Sequence, residues 1–562
     1  MKLKRLLLLA LPFCLALALP VQADTATHQS WIEEMKEQPR GPFSRVRWFC
    51  HDGAVLPPKA YACSDHGGGV QHGEWNAQTL ELRKRGYLVA NTLAGIQPET
   101  FLDQENFEND YGQRLVERFL IAVDNGWIFR RALFYRGAIQ EEDERAGGRS
   151  LLLAMLSREE WAQAHFLALR SGVKLLPHGM DSASSGRVRR LSASLSDEDP
   201  GFMPVRIKIH GAPDGSDAAR VREYMQGVAD AGLQQRYSEL AVEIDRIYLA
   251  APLERELLEM AARDWVPVEM REVFTSAGRA WGAATASQHM QLSAQLLAVV
   301  RDQLSAVAGA DNRLDLLDFS LRLEAEHFRA SSSVREQLPQ MSRADILQMM
   351  TAAGDAAYGV GLLNQRLLLA LRAQIAALQA EHITVAQYQR GLSYLNRVPG
   401  WGLQAMRRYF YQPMVKLSEI EPLALLFIQD QLRGSPLMFY SQSLNLLVRD
   451  AGRLAGIRHQ FFGQNVGAGF TALNPGLARG ILHARPLQGD TEALREDGIY
   501  VLPETVAELP PVAGILTAGE GNPLSHVQLL ARNLGIPNVT VSPALQQRLR
   551  EHDGNTIVLA VS

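Results

Sequence analysis

The sequence predicts a multidomain fold, in which an N-terminal α/β or α+β region precedes a central all-α domain and a C-terminal α/β domain. Three observations predict this order. The segment PVRIKIHG alternates apolar and polar residues, leucines recur at helical spacing between residues 292 and 378, and short β-branched runs surround a helix after residue 473. Alternation is typical of a half-buried strand, whereas spacings of three and four residues are typical of a helix.

The first residues predict export. Three cations within the first five residues precede an apolar run that ends at Leu19, and the segment VQA then supplies a small-residue cleavage site after Ala23. This pattern is typical of a cleavable signal peptide at residues 1–23. The apolar run is shorter than the roughly 20 residues that a membrane-spanning helix needs. We therefore expect an exported, periplasmic protein without a transmembrane segment.

The length and net charge of the chain limit the number of domains and the classes of ligand that we expect. The chain has 562 residues and a formal net charge of −4, and the predicted cleavage removes cations but no acidic residue. Such an acidic chain is a poor candidate for binding nucleic acid. At about 150 residues per domain, three or four domains are expected. We predict a mixed α/β domain at 24–217, a helical domain at 218–458, a glycine-rich hinge at 459–472 and a last domain at 473–562.

Two cysteines of the predicted mature chain, Cys50 and Cys63, are candidates for a disulfide, which an oxidising compartment allows. Histidines and aspartates between residues 51 and 72 keep a metal site open as an alternative. The disulfide is favoured and no metal is expected, because the spacing matches no standard zinc pattern and no haem-attachment pattern.

Two strands are predicted in the N-terminal region. The segment GEWNAQTLELRKRGYLVAN predicts a helix that ends at Gly86, followed by a strand at Tyr87–Asn91. The segment PVRIKIHG predicts a strand with Val205 and Ile209 among its core-facing residues. Between these segments, the acidic run at 141–144 is expected to be a solvated loop.

Apolar residues three or four positions apart predict the helices of the central domain. One stripe consists of Leu292, Leu296, Val300, Leu304 and Val307, and another of Leu367, Leu371, Ile375 and Leu378. We interpret these stripes as core. The scattered histidines of this domain, such as His289 and His327, are interpreted as structural or surface residues.

The last domain is predicted to consist of strands around one helix. Short apolar or β-branched runs bounded by Gly, Pro or Asp indicate the strands: ARGILHARP, DGIYVLPE, VAGILTAG, IPNVTVSP and NTIVLAV. A helix begins near Ser525 and is expected to present four apolar residues on one face: Val527, Leu530, Ala531 and Leu534. Gly535 then ends it. The local order is therefore strand, glycine loop, helix, strand.

His526 lies in the first turn of this predicted helix and has two interpretations. It can be an ordinary residue of a helix start or a reactive group. Free backbone N–H groups and the positive end of the helix dipole favour a neutral imidazole with an available lone pair, and would stabilise an attached phosphate dianion. Gly519, Gly521 and Asn522 form the loop through which a phosphate would approach the ring.

The segments NPGLARGILHARP, GNPLSHVQLLARNLGIPNVTV and HDGNTIVLAV together resemble the swivelling phosphohistidine domain of the phosphoenolpyruvate-utilising family. This family includes phosphoenolpyruvate synthase, pyruvate phosphate dikinase and the glucan water dikinases. Its pattern is matched in order by Gly521, Ser525, His526, Ala531, Arg532, Gly535, Ile536 and Pro537. The resemblance implies that His526 carries a phosphoryl group, supported by Ser525 and Arg532.

Two departures from the family's residue pattern make the chain more similar to one branch of the family. Asn522 stands where the family has its second glycine, and Leu524 stands where the synthases usually have threonine. The resulting segment Leu-Ser-His-Val is more similar to the glucan water dikinases than to the synthases.

The resemblance implies a dikinase-like phosphotransferase that uses ATP and Mg²⁺. Residues 24–460 contain no convincing ATP-grasp pattern. An ATP-grasp domain or subunit is therefore expected either on another polypeptide or in a missing C-terminal part, in which case the last domain is truncated. The expected acceptor is a small molecule such as pyruvate or a carbohydrate. The alternative is an exported binding or scaffold protein with an inactive swivel domain, which the scarcity of ATP outside the cytoplasm favours.

Overall fold

A computed structural model gives the positions of most residues. It describes residues 19–59, 62–132, 141–179, 183–211, 215–248, 252–457, 459–466, 470–485, 494–503, 509–518, 527–528, 531 and 534–561. The chain divides into two compact units. One consists of residues 1–97, 103–148 and 412–425, and the other of residues 98–102, 149–411 and 426–562.

Helices dominate the described residues. They are α1 (Leu19–Glu37), α2 (Ala77–Lys84), α3 (Pro98–Leu102), α4 (Phe107–Val123), α5 (Glu141–Leu156), α6 (Glu159–Ala164), α7 (Phe166–Leu175), α8 (Ala183–Glu198), α9 (Met203–Gly211), α10 (Ser216–Met225), α11 (Ala231–Tyr248), α12 (Leu253–Ala261), α13 (Val268–Trp281), α14 (Ala286–Gln303), α15 (Ala310–Gln337), α16 (Arg343–Gly359), α17 (Gln365–Leu378), α18 (Val385–Leu395), α19 (Val398–Ser418), α20 (Phe427–Arg433), α21 (Pro436–Leu454) and α22 (Pro543–Leu549). Among the described helices, none combines the length and the apolar character needed to cross a membrane.

The first unit contains a small antiparallel sheet. Its strands are β1 (Phe43–Cys50), β2 (Val55–Leu56) and β3 (Gly69–Trp75), in the order β2-β1-β3. The ring of Phe43 covers Gly73 on the neighbouring strand, where an added Cβ atom would lie 2.1 Å from the ring. A residue without a side chain is therefore required at this position.

The helix predicted before Gly86 is confirmed as α2. The side chain of Asn76 accepts a 2.7 Å hydrogen bond from the backbone N–H of Thr79 and caps the start of the helix. Gly86 has a φ of +84°, a left-handed conformation that suits glycine just after a helix.

The strand predicted at Tyr87–Asn91 is wrong, because side chains rather than a neighbouring strand bind the backbone here. Glu117 accepts hydrogen bonds of 2.6 and 2.9 Å from the N–H groups of residues 90 and 91. Glu144 accepts bonds of 2.8 and 2.9 Å from residues 93 and 94. Both carboxylates are at least nine-tenths buried. The backbone is thus satisfied without a sheet partner.

The acidic run at 141–144 is not the solvated loop that its charge predicted. It forms the first turn of α5, where carboxylates are favoured by the positive end of the helix dipole. Glu144 is only 5% exposed, and its Oε2 lies 2.6 Å from Nη2 of Arg118. A buried charge of this kind requires such a partner.

The strand predicted for PVRIKIHG is also wrong, because this segment lies in helix α9. Val205 and Ile209 are one helical turn apart, and both pack on a cluster that includes Phe202 and Tyr237. Positions four apart fall on one face in a strand and in a helix alike. Packing against this cluster outweighs the preference of β-branched residues for strands.

The leucine stripes are confirmed as core except at Leu292 and Leu367, which are only partly buried. Leu296 and Val300 on α14 have no exposed surface, and Leu371 and Ile375 on α17 are at most 1% exposed. These four residues lie in the region between 218 and 458, where the described secondary structure is helical.

The C-terminal region is built around a mixed sheet. After a hairpin of β4 (His459–Phe461) and β5 (Gln464–Val466) come β6 (Phe470–Asn474), β7 (Gly476–His483), β8 (Gly498–Pro503), β9 (Gly514–Ala518), β10 (Asn538–Val541) and β11 (Thr556–Val561). The sheet has the order β11-β7-β8-β9-β10-β6. Its four central strands are parallel, and both edge strands are antiparallel to their neighbours. The five strand segments predicted from the sequence are therefore strands.

The two faces of this sheet carry separate apolar clusters. Leu516 and Val501 belong to the cluster that includes Leu545 of α22. Ile515, the neighbour of Leu516, belongs to the other cluster, together with Val527. Alternating side chains of the central strands are therefore buried on both faces, as in an α/β domain.

Candidate functional site

The residues predicted at the phosphoryl-carrying site lie outside the described part of the chain: Gly519, Gly521, Asn522, Ser525, His526 and Arg532. The described residues on either side define the unit that contains them. Strand β9 ends at Ala518, Val527 is helical, and β10 begins at Asn538. The segment is thus the connection between two strands of the C-terminal sheet.

Strands β9 and β10 are parallel neighbours. Ile515 pairs with Asn538, and Ala518 pairs with Val541. A parallel pair requires a crossover connection, which here contains the helical residue Val527. The chain therefore leaves β9 at the carboxyl edge of the sheet immediately before residue 519. In open α/β sheets, this edge is where ligands bind.

Apolar contacts fix the crossover helix against the sheet. Val527 and Ala531 have no exposed surface and belong to the same cluster as Tyr500 and Ile515. The two residues are four positions apart and so share one face of the helix, as predicted. Leu534, which was predicted to share this face, is instead 48% exposed, because the helix is ending at that position.

The end of the crossover helix was predicted correctly at Gly535. This residue has a φ of +68°, and the N–H group of Ile536 donates a 2.8 Å hydrogen bond to the carbonyl of Ala531. The combination is a Schellman motif, which satisfies carbonyls at a helix end. Nδ2 of Asn474 donates a 2.7 Å bond to the carbonyl of Ile536. The helix end is therefore tied to β6.

Sequence reasoning missed three polar residues beside this crossover. The hydroxyl of Thr517 donates a 2.9 Å hydrogen bond to Oδ1 of Asn538, and both residues are fully buried. Gln528, two positions after His526, is 3% exposed, and neither polar atom of its amide has a hydrogen-bond partner among the described residues. A polar residue within an apolar run was the available signal for each of them.

A crossover at this edge is a candidate anion site. A helix whose first turn lies at the carboxyl edge of a sheet directs its first N–H groups and the positive end of its dipole towards a ligand at that edge. The described part of this crossover includes the buried helical residue Val527, which directly follows residues 519–526 in the chain.

Cys50 and Cys63 lie far from this crossover in sequence, and their Sγ atoms are 2.02 Å apart in a disulfide. Cys50, Asp52 and His66 have potential metal-ligand atoms within 4.8 Å of one another. The disulfide leaves Cys50 without the thiolate that binds metals. Nδ1 of His66 lies 2.7 Å from Oδ2 of Asp52. A hydrogen bond from the Ala54 N–H group and the contact with His66 lower the pKa of Asp52.

Comparison with known proteins adds one finding for the chain. Residues 500–560 match the family model of the PEP-utilising enzyme, mobile domain, and this range contains the whole crossover from β9 to β10. No curated protein and no solved structure matches the chain. The resemblance to the phosphoenolpyruvate-utilising family is thereby confirmed for this segment. Residues 500–560 are therefore similar to the mobile domain of phosphoenolpyruvate-utilising enzymes.

Proposed function

We propose that the chain is a component of a dikinase-like phosphotransferase, in which His526 carries a phosphoryl group from an ATP-grasp site to an acceptor. One observation carries this proposal. The match to the mobile domain contains a parallel strand crossover whose helix is anchored at Val527, directly after His526. This is the position that the family pattern gives to the phosphorylated histidine.

The proposed reaction has two steps. In the first, a ring nitrogen of His526 forms a bond to phosphorus while the bond between that phosphorus and an oxygen of the donor breaks. The leaving oxygen keeps the electron pair. In the second, an acceptor oxygen attacks the same phosphorus, its proton passes to solvent, and the phosphorus–nitrogen bond breaks to regenerate the imidazole. The covalent intermediate divides one transfer between two sites.

Neighbouring groups would assist both steps. The N-terminus of the crossover helix favours the neutral imidazole needed for attack and stabilises the dianion that forms. Ser525 and Arg532 are assigned by their positions in the family pattern, Ser525 as a hydrogen-bond donor and Arg532 as a positive charge for the phosphoryl oxygens.

Two sites require a moving domain, and the contacts of Phe461 support a pivot that precedes the hairpin of β4 and β5. Phe461 is 4% exposed and belongs to the apolar cluster of the C-terminal sheet. The hairpin of β4 and β5 would therefore move with the sheet. We place the pivot between the end of α21 at Leu454 and His459, where Gly456 has a φ of +71°. This pivot lies immediately before the glycine-rich stretch at 459–472 that the sequence predicts as the hinge.

ATP and Mg²⁺ are assigned to an ATP-grasp domain or subunit that acts with this chain. Magnesium prefers carboxylate and phosphate oxygens in an octahedral arrangement. The cluster of Cys50, Asp52 and His66 offers one carboxylate, an imidazole and a disulfide sulfur, a set that does not suit Mg²⁺. Pyruvate or a carbohydrate hydroxyl is the proposed acceptor.

The disulfide supports the proposed location in the periplasm. Disulfides persist in oxidising compartments and are rare in the cytosol, and Cys50–Cys63 closes a short loop beside the sheet of the first unit. Phosphoryl transfer there requires a donor other than cytosolic ATP, or loading of His526 before export. Phosphoenolpyruvate and ATP are therefore both included as donors in the experiment that follows.

The test is transfer of labelled phosphate to the purified full-length chain. Protein is incubated with labelled ATP or phosphoenolpyruvate, with and without an ATP-grasp partner protein. We expect label that is lost in acid and retained in alkali, and that is absent from His526→Ala. Ser525→Ala is expected to retain slower labelling. Persistent label in His526→Ala would contradict the assignment, and no label under any condition would favour the exported binding protein with an inactive swivel domain.

A further inference from the structure

A second candidate site lies among the helices of the central region. A cavity of about 110 Å³ opens between α15 and the junction of α20 with α21. Glu324, His327 and Arg335 line it from α15, and Arg433 and Gln442 line it from the other side. For comparison, an engineered cavity of about 150 Å³ holds a benzene molecule. The space therefore suits a ligand of about the size of a three-carbon acid.

The hydrogen bonds of His327 define which ring nitrogen carries its proton. The hydroxyl of Ser293 donates a 2.7 Å bond to the carbonyl of His289, so it can only accept from Nδ1 of His327, at 3.1 Å. The carbonyl of Met290, at 3.2 Å, is a second acceptor for the same nitrogen. Nδ1 therefore carries the proton, and Nε2 offers a lone pair.

Nε2 of His327 is buried, and within the described part of the chain it has no hydrogen-bond partner. The residue is 1% exposed. Burial lowers the pKa of His327 to about 4, so the ring is neutral at pH 7 and Nε2 remains an acceptor. A buried acceptor without a partner is costly. His327 is one of the residues that line the cavity, and a ligand hydroxyl that reaches Nε2 from the cavity would satisfy it.

The charges around the cavity favour an anion. Among the described residues, the buried Nε of Arg433 has no hydrogen-bond partner, and neither Arg433 nor the exposed Arg335 forms an ion pair. The negative charge of Glu324 is already balanced, because its carboxylate lies 2.8 Å from Arg170 and 3.8 Å from Lys174. The uncompensated charge at the cavity is therefore positive.

Helix α21, which begins at the cavity, adds to the positive charge there. Helix α21 begins with Pro436 at the cavity wall, and Ser435 caps it by accepting a 3.3 Å hydrogen bond from the N–H group of Leu437. The positive end of the dipole of this 19-residue helix therefore faces the same region as the two arginines.

We propose that this cavity binds a small anion that also carries a hydroxyl group, such as a three-carbon hydroxy acid or its phosphate ester. Arg335 and Arg433 bind the anionic group, and the ligand hydroxyl donates a hydrogen bond to Nε2 of His327. The site is independent of the phosphoryl transfer proposed for His526, so either proposal can fail without the other.

The first experiment compares probes that differ in one group. Glycerate, glycerol, propionate and inorganic phosphate are titrated into the full-length chain by calorimetry. Glycerate is expected to bind at least tenfold more tightly than glycerol, which lacks the charge, and than propionate, which lacks the hydroxyls. Phosphate binding alone, without a preference for glycerate, would contradict the role of His327. Absence of saturable binding by every probe would overturn the proposal.

Variants of the chain then test the two contacts separately. Arg433→Gln is expected to weaken glycerate binding at least tenfold, whereas the exposed Arg366→Gln on α17 serves as the control and binds as the unchanged chain does. His327→Asn retains a donor near Nδ1 and removes Nε2, so it should lose the preference for glycerate over propionate while still binding phosphate. Circular dichroism checks that each variant is folded. Unchanged binding in folded Arg433→Gln would contradict the site.

Discussion

The hydroxyl of Thr517 donates a 2.9 Å hydrogen bond to Oδ1 of Asn538, and neither residue has exposed surface. This bond joins β9 to β10 across the two strands that the crossover connects. Both residues lie within the range that matches the mobile domain. The bond therefore stabilises the pairing of the two strands between which the segment with His526 lies.

Replacing Thr517 by valine is expected to lower the free energy of unfolding by about 1–3 kcal/mol, because Oδ1 of Asn538 then remains buried without a donor. Chemical denaturation followed by circular dichroism measures the change. Thr517→Ser keeps the hydroxyl and should lose less stability. Equal stability of Thr517→Val and the unchanged chain would mean that this bond contributes nothing.

At Gln528 we expect a substitution to raise the free energy of unfolding instead of lowering it. Its amide is buried, and neither of its polar atoms has a hydrogen-bond partner in the part of the chain that the structure describes. An amide without a partner bears an uncompensated desolvation cost in the folded state. Gln528→Met should raise the free energy of unfolding by about 1 kcal/mol. Gln547→Met, an exposed position on α22, should change it by less than about 0.5 kcal/mol. A large loss of stability in Gln528→Met would show that the amide is bound.

Gly535 tests the end of the crossover helix. Its φ is +68°, and an added Cβ would contact nothing within 4 Å, so a substitution changes only the backbone energy. Gly535→Ala is expected to cost about 1–2 kcal/mol. Gly535→Asn should cost less, because asparagine tolerates the left-handed region better. Thermal denaturation compares the two variants, and identical melting temperatures for all three chains would contradict the assigned helix end.

Local patterns in the sequence predicted local structure well. The stripe that includes Leu371 and Ile375 is buried as predicted, because helical periodicity directly reports which side faces a core. The strand segments of the C-terminal domain and the helix end at Gly535 were also predicted, because turn residues and β-branched runs act over a few positions.

The wrong predictions concern segments whose structure depends on contacts between residues distant in sequence. The backbone N–H groups of residues 90 and 91 donate to Glu117, which is 27 and 26 positions away. No local sequence pattern indicates this contact. Helix α9 depends on packing against residues such as Tyr237. His327 was interpreted as structural or surface, yet its buried Nε2 beside a cavity depends on the arrangement of three helices. Spacing within one segment cannot report such partners.

The stability of the chain should depend on pH through His327. Burial lowers its pKa from 6.5 to about 4, although a hydrogen bond to Met290 and the charge of Glu324 act in the opposite direction. Between these pH values the unfolded chain binds the proton and the folded chain does not, so stability falls as the pH drops. The full difference corresponds to about 3 kcal/mol.

His327→Asn removes this titration. Between pH 7 and pH 4, the unchanged chain is therefore expected to lose about 3 kcal/mol more stability than the variant does. Urea denaturation at a series of pH values measures the difference. Parallel pH profiles for the two chains would mean that His327 titrates equally in the folded and unfolded states.

Locating the phosphoryl group on the chain tests whether His526 is the phosphoryl carrier. The chain is incubated with the ATP-grasp partner and donor, digested with trypsin at alkaline pH, and the peptide that ends at Arg532 is sequenced by mass spectrometry. We expect the added mass of a phosphoryl group on His526, lost after brief treatment with acid. A phosphoryl group on Ser525 or on another histidine, with His526 unmodified, would contradict the assignment of His526.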